Sequence, residues 1–463
     1  MLVFLLLLVC YGYFVPRSGR SDWAASARAD LAMAIADRGV LWIDDYHANT
    51  GDKAFYQGHY YPVGSIGPSL LALPAYLLIR PLLGLPAVER RLGDGDHARP
   101  RRERLALTAM TLFAVSLPSA LLGVVVYLFT CRFTRRESEA FVLALTYGLA
   151  TVAFPYSKAL FQHQVSAFGA FVGFYLLWRV VREGATRRLL WGVGALFGLA
   201  AVSEYPVAPF LVLLVAWAAL EMKDYPALHR IVWGALPLLA LFAAYNWSIF
   251  GTPLPVGYRY HVEYQQVHAQ GFMGIAAPTW EALYGITISP YRGLFFLSPV
   301  LLLSLPGLLF MWRLPGERRT AALLAATIAG FFLYNASYVY WWGGTAIGPR
   351  YLVPVVPFMF LPLACAFTAW VERPLGRWAA GALVAASALN VWVQSIAGQY
   401  YPPYQFRGRI VTNPTFQYSL PVLLDGDIAL NYAAALGLGG LATLIPLAVI
   451  VACLVAASRR LWR

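Results

Sequence analysis

The chain has 463 residues, 60% of them hydrophobic and only 12% charged, a composition that excludes an ordinary soluble domain. Its formal charge of +13 falls largely on arginines between apolar runs. That is the topogenic pattern of a membrane protein, and it offers nucleic acid no basic soluble face.

A bilayer span needs roughly 20 apolar residues, and such runs recur near 1–16, 68–86, 105–130, 139–156, 162–178, 189–203, 206–220, 231–250, 294–312, 320–340, 351–371, 378–398 and 430–457. The first run, MLVFLLLLVCYGYFVP, lacks a basic start and a small-residue cleavage site, so it reads as a retained span. Cys10, Cys131, Cys365 and Cys453 lie within or at the ends of apolar runs without CxxC spacing, so neither a zinc site nor a disulfide framework is expected.

After the first span comes an amphipathic stretch, SDWAASARADLAMAIADRG, and then WIDDYHANTGDKAFYQGHYYPVGSIG, which gathers carboxylates, histidines and aromatics at one water boundary. The linkers that follow are of two kinds. CRFTRRE, RVVREGATRR, RLPGERR, ERPLGR and the tail SRRLWR are short and basic, with the charge-balanced EMKDYPALHR among them. The linkers around Tyr156–Gln164, Ser203–Pro209, Gly251–Gly293, Trp341–Arg350 and Gln399–Asp427 are aromatic and rich in Gly and Pro. The two kinds alternate from residue 131 onward, so the basic set is expected inside and the aromatic set outside. AVERRLGDGDHARPRRER at 87–104 breaks the alternation unless 68–86, with Pro68 and Pro74, is an interfacial helix on the outer face. The expected architecture is an all-α polytopic membrane protein with about 12 transmembrane helices, within about 11–13. It forms one domain over 1–463 with no separate soluble part: a first outer loop at about 17–104 holds amphipathic juxtamembrane helices, and an outer flap covers about 251–293.

TGDKAFYQGHYY, SPYRGLFFLSPVLLL and WWGGTAIGPRYLVPVVPF, in that order on one side, resemble motifs of the GT-C superfamily of polytopic glycosyltransferases. The likeness is to its phospholipid-carrier-dependent branch, related to protein O-mannosyltransferases and aminoarabinose transferases, and covers about residues 1–400. Two positions depart from the superfamily. An Asp-Glu pair often follows the first span, where this chain has Ser21-Asp22-Trp23, and the lysine common after the GxxY element is absent from Pro62-Val63-Gly64-Ser65.

The resemblance implies transfer of a sugar from a polyprenyl-phosphate carrier to an acceptor hydroxyl on the external face of a bacterial-type inner membrane, with inversion. Such a reaction needs a base for the hydroxyl proton and cationic donors for the leaving phosphate. Asp52 and Asp44 lead as the base, followed by Asp22; Asp30 reads as a solvated-face residue. Arg292 and Arg350, at the outer ends of spans among glycines, are the phosphate candidates, with Lys53, Arg28 and His59 behind them. Tyr60, Tyr61, Tyr291, Trp341, Trp342 and Tyr351 offer faces for the sugar or carrier. Glu204 reads either as a binder of substrate hydroxyls or as an arginine's partner, and His163 as a satisfied polar end. His261, Glu263 and His268 give no ligand spacing for a metal. No cofactor is expected with certainty; some superfamily members use a divalent metal. The acceptor is unspecified. A flippase of lipid-linked saccharides, or a ligase using diphosphate-linked oligosaccharide, is the alternative, although no inverted repeat is visible.

Overall fold

A computed structural model describes residues 1–17, 22–85, 101–222 and 224–461. Among the described residues eight helices are long and apolar enough to cross a membrane, from Arg102–Thr130 to Gly440–Ala457. Leu2–Gly12, Gly67–Leu83, Leu189–Ser203 and Pro299–Arg313 are shorter apolar helices. Glu137–Leu149, with the short Ala153–Ser157, occupies the run expected at 139–156. The protein is a polytopic helical membrane protein: the eight long helices, these shorter ones and Glu137–Leu149 occupy the apolar runs read from the sequence.

Their burial orders them. In Arg350–Val371, 94% of the apolar window is inside the bundle, which makes it the central helix. Tyr225–Phe250 and Gly440–Ala457 bury only 17% and 11% of theirs and turn apolar faces outward, as lipid-facing helices do. Glycines let neighbours close up: a Cβ on Gly194 would lie 2.0 Å from the Ile231 carbonyl oxygen, and one on Gly234 2.2 Å from that of Trp191. Widened five-residue turns at Leu112–Ser116 and Thr415–Ser419 each precede a proline, Pro118 and Pro421. Proline has no N–H for the regular ladder, and its ring pushes the preceding turn open.

The two kinds of linker gather at opposite ends. At one end, Arg132 pairs with Glu183 at 2.7 Å, Arg182 with Glu221 at 3.3 Å, Arg319 with Glu221 at 3.7 Å and Arg135 with Glu372, tying the basic linkers together. At the other end the aromatic linkers knit through backbone groups: Tyr156 Oη donates to Ile347 O, Tyr205 Oη to Gly64 O, and Ala276 N to Ser337 O. Both ends of Gly67–Leu83 stay with first-loop elements or this aromatic end. Gly67 packs on Ser203, and Arg80 reaches Asp37 at 2.7 Å and Ala36 O at 3.0 Å. The basic linker is largely outside the described residues, which resume at Arg101, and Glu103 there accepts a hydrogen bond from Asn49.

The first loop folds on Trp23–Arg38, which Asp22 caps by accepting from Ala25 N at 3.0 Å and Gly39 ends at φ 68°. Asp30 on this helix is fully buried, contrary to its expected place on a solvated face, because the helix is covered by Gly67–Leu83 and the following chain rather than lying free. Among the described residues two small antiparallel hairpins interrupt the all-helical pattern. The first pairs Lys53–Tyr56 with His59–Pro62, and its two-residue turn, Gln57 at φ 48° and Gly58 at φ 88°, has the positive φ pair that favours tight hairpins.

Candidate active site

Thr50, Gly51 and Asp52 are fixed by the helix they return to. Thr50 Oγ1 donates to Trp23 O at 2.8 Å and accepts from Asp52 N at 2.9 Å. Gly51 is required because a Cβ there would sit 2.5 Å from the Trp23 ring. Asp52 thereby projects into the aromatic end of the bundle.

Two chambers meet at this point. The larger, about 610 Å³, is lined mainly by apolar and aromatic groups and by Arg28, Asp52, Glu204 and Arg350. The smaller, about 250 Å³, is more polar and carries Asp22, Trp23, Tyr401 and the Gly343–Thr345 backbone. Asp52, Arg350, Phe161, Tyr264 and Tyr340 face both.

The segment after Phe250 roofs the larger chamber. Val262 N donates to Lys53 O at 2.9 Å, and Tyr258, His261, Tyr264 and His268 face inward. His261 Nδ1 accepts from Glu263 N and Tyr264 N at 3.0 and 3.2 Å, leaving the ring proton on Nε2, 3.8 Å from Asp52 Oδ1. Burial opposes ionisation of Asp52, but the His261 N–H and the Arg350 and Arg28 charges prevail and hold its carboxyl below the usual value. Beside His261, burial and that neighbouring ring push His268 down to about 4.

Asp22 has the opposite environment. It is buried, with Oδ1 in the helix cap and Oδ2 accepting from Tyr401 Oη at 3.1 Å. Burial pushes its carboxyl up to about 6, against the lowering effects of the cap, the Tyr401 hydroxyl and the Arg28 and Arg17 charges. Two carboxylates with divergent acidities thus line one small chamber, a pattern that separates a proton acceptor from a permanent anion.

Arg350 starts the tight turn Arg350–Val355 that leads into the central helix. Its Nη2 donates to Tyr351 Oη at 3.2 Å, and its Nε has no hydrogen-bond partner among the described residues. Gly343, at φ 69°, leaves room for it, since a Cβ there would come 2.9 Å from Arg350 Nε. Arg28 donates to Ala24 O and to Gln162 Oε1. Both guanidiniums therefore reach the larger chamber.

Other candidates take different places. Asp44 Oδ1 accepts from Tyr60 N at 2.7 Å and Oδ2 meets His59 Nδ1 at 2.6 Å, pinning the hairpin away from both chambers. His59 stacks on Trp42, and Lys53 Nζ donates to His47 O at 2.6 Å. Arg292 is 2% exposed and lines neither chamber; it donates to Ala346 O and to Gly344 O and lies over Tyr291. It braces the Gly343–Ile347 loop because those carbonyls, buried with it, need donors. Tyr60, Tyr61, Tyr291 and Trp342 also line neither chamber, whereas Tyr351 lines the larger. Among the described residues Glu204 pairs with no arginine: Oε1 meets His163 Nδ1 at 2.9 Å. Gln162, Tyr258, Tyr338, Tyr340 and Tyr401 also line the chambers, although sequence reasoning did not single them out as site residues. Gln162, Tyr258 and Tyr401 belong to the aromatic linkers, and Tyr338 and Tyr340 end the apolar run at 320–340 just before one. Among the described residues no group of His, Cys, Asp and Glu is placed to hold a metal ion.

The fold is similar to that of ArnT from Cupriavidus metallidurans. The apo crystal structure aligns at TM-score 0.50 and 16% identity over 86% of this chain and 64% of ArnT. The structure bound to undecaprenyl phosphate aligns at TM-score 0.51 and 16% identity over 92% of this chain and 70% of ArnT. This chain thus spans about two thirds of ArnT's length. No protein-family model matches the chain, and no curated protein does. The resemblance carried by the three sequence motifs holds at the level of fold.

Proposed function

We propose that the protein is a membrane glycosyltransferase that moves a sugar from a polyprenyl-phosphate carrier to an acceptor hydroxyl, with the aromatic end of the bundle on the external face of a bacterial-type inner membrane. The observation that carries this reading is the junction itself: a carboxylate and a guanidinium, Asp52 and Arg350, are shared by a large apolar chamber and a small polar one. A lipid-borne donor suits the first, and an acceptor hydroxyl suits the second. ArnT, whose fold is similar, was crystallised with undecaprenyl phosphate.

In this reading Arg28 and Arg350 hold the carrier phosphate, the guanidinium fork matching its oxygens. The acceptor oxygen attacks the anomeric carbon as the bond from that carbon to the phosphate oxygen breaks. The electron pair leaves with the phosphate, where the arginines stabilise the growing charge. The hydroxyl proton passes to Asp22, whose raised pKa makes it the better base of the two carboxylates. Asp52 remains ionised and faces the positive charge that develops on the sugar. A single displacement of this kind inverts the anomeric centre. Arg292 acts through the loop it braces, and Asp44 through the hairpin that carries Asp52.

Transfer from radiolabelled polyprenyl-phosphate sugars by purified protein in vesicles tests the reading. The wild type should form labelled product of inverted anomeric configuration, and Asp22→Asn should lose about 10²–10⁴-fold. Product of retained configuration, or equal rates for the two proteins, would overturn it.

A further inference from the structure

One wall of the larger chamber carries polar atoms that the protein leaves unpaired. Glu204 is 6% exposed, and its Oε2 has no hydrogen-bond partner. The same is true of Ser203 Oγ and Ser65 Oγ, in residues 0% and 8% exposed. All three residues line the chamber. Gly67 brings their segments together, because a Cβ on it would lie 2.2 Å from Ser203 Oγ. Buried polar atoms are normally paired, and a convergent set without partners marks the place of an absent ligand.

Glu204 is held in position. It ends Leu189–Ser203, and His163, fully buried and boxed by Phe161, Tyr156 and Tyr351, fixes Oε1 at 2.9 Å. That contact places the imidazole proton on Nδ1, toward the carboxylate, and leaves Oε2 free to accept. Arg28 stands next to this wall through two chain neighbours. A Cβ on Gly64, which precedes Ser65, would be 3.6 Å from Arg28 Nη2, and Gln162, which precedes His163, accepts from that nitrogen.

We infer that Glu204, Ser203 and Ser65 form a hydroxyl-recognition subsite that reads the sugar of the donor, an inference that rests on the glycosyltransferase reading above. A carboxylate oxygen only accepts, and serine hydroxyls both donate and accept, which is the complement of adjacent ring hydroxyls. A bare phosphate would be repelled by Glu204, and a polyprenyl tail has nothing to donate. A donor whose phosphate meets Arg28 carries its sugar within reach of this wall. Glu204 acts on the ligand; His163 is the residue that positions it.

Binding of a ten-carbon polyprenyl phosphate and of its hexosyl and monodeoxyhexosyl derivatives to purified full-length protein tests the inference. The wild type should bind at least one hexosyl carrier about 10–100-fold more tightly than the bare phosphate, and deletion of the recognised hydroxyl should remove that preference. Glu204→Ala should keep the affinity for the bare phosphate and lose the preference. Glu204→Gln, which keeps an acceptor oxygen and the side-chain shape, should retain most of it and controls for folding. A preference undiminished in Glu204→Ala, or none in the wild type, would overturn the subsite. A wild type that prefers an aminohexosyl carrier, with the preference abolished in Glu204→Gln, would also overturn it by identifying a cation as the ligand. Failure to bind any of these carriers would instead sink the carrier-dependent reading on which the inference rests.

Discussion

The two ends of the helical bundle use charge in opposite ways. At the basic end, arginines find carboxylates: Arg132 with Glu183, Arg182 with Glu221, and Arg187 with Asp224. Arg132 and Arg187 remain half-exposed or more, so their pairs are screened and each contributes about 0–1 kcal/mol. At the aromatic end, Arg28 and Arg292 are buried, and their recorded hydrogen bonds go to carbonyls and an amide rather than to carboxylates. Arg350 bonds a tyrosine hydroxyl and leaves Nε unpaired. Desolvated charge without a full set of partners is costly and persists where a ligand completes it. The difference supports the proposal that the chemistry lies at the aromatic end.

The comparison breaks most readily at Asp22. Asp22→Asn should abolish transfer by about 10²–10⁴-fold with carrier binding preserved, measured by single-turnover transfer and binding in parallel. Unimpaired turnover would move the base elsewhere.

Arg350→Lys comes next. A point charge replaces a planar fork, so turnover should fall by about 10²–10³-fold, the scale of losing one donor to developing charge.

A smaller effect is expected at Gly51→Ala. Its methyl would press on the Trp23 ring and displace Asp52, and a misplacement of about 1 Å costs about 10²-fold in rate. If the rate is unchanged, Asp52 does not need its present position.

Acid should sharpen the same contrast. Because the Asp22 carboxyl must be ionised to accept a proton and sits at about 6, the rate should fall about tenfold per pH unit below that value and level off above it. Asp22→Asn should remove that limb. A rate profile flat from pH 7 to pH 5 would exclude Asp22 as the base.

The smallest effects belong to the basic end. Arg132→Ala should change stability by at most about 1 kcal/mol and leave transfer rates alone, measured by thermal unfolding and activity in the same preparation.

Much of this was legible in the sequence because topology is written in composition. The alternation of basic and aromatic linkers predicts which segments share an end, and the linkers bearing Asp52, Glu204, Arg350 and Tyr351 do meet at one chamber. What a linker's composition does not encode is which of its polar residues is consumed locally. Asp44 and Asp52 look alike as letters, yet Asp44 is taken by Tyr60 N and His59. Arg292 and Arg350 both sit beside glycines at span ends, yet Arg292 is spent on the carbonyls of Ala346 and Gly344. Asp22 appeared weaker without an acidic neighbour, although its burial, which outweighs the hydrogen bond from the distant Tyr401, gives it the more basic carboxylate. The hairpin at Lys53–Pro62 had a local signal, Gln57-Gly58 between aromatic runs. His261 became visible only through the bridge between Ala54 and the roofing segment.

The central claim is that buried guanidiniums at the chamber junction exist to hold a lipid-linked phosphate. Direct binding of undecaprenyl phosphate to purified wild type, Arg350→Ala and Arg292→Ala tests it. The account expects affinity to fall about 10–100-fold in Arg350→Ala, the scale of a lost charge-assisted hydrogen bond. Arg292→Ala, which removes only a loop brace, should retain more affinity. Equal binding by wild type and Arg350→Ala would contradict it.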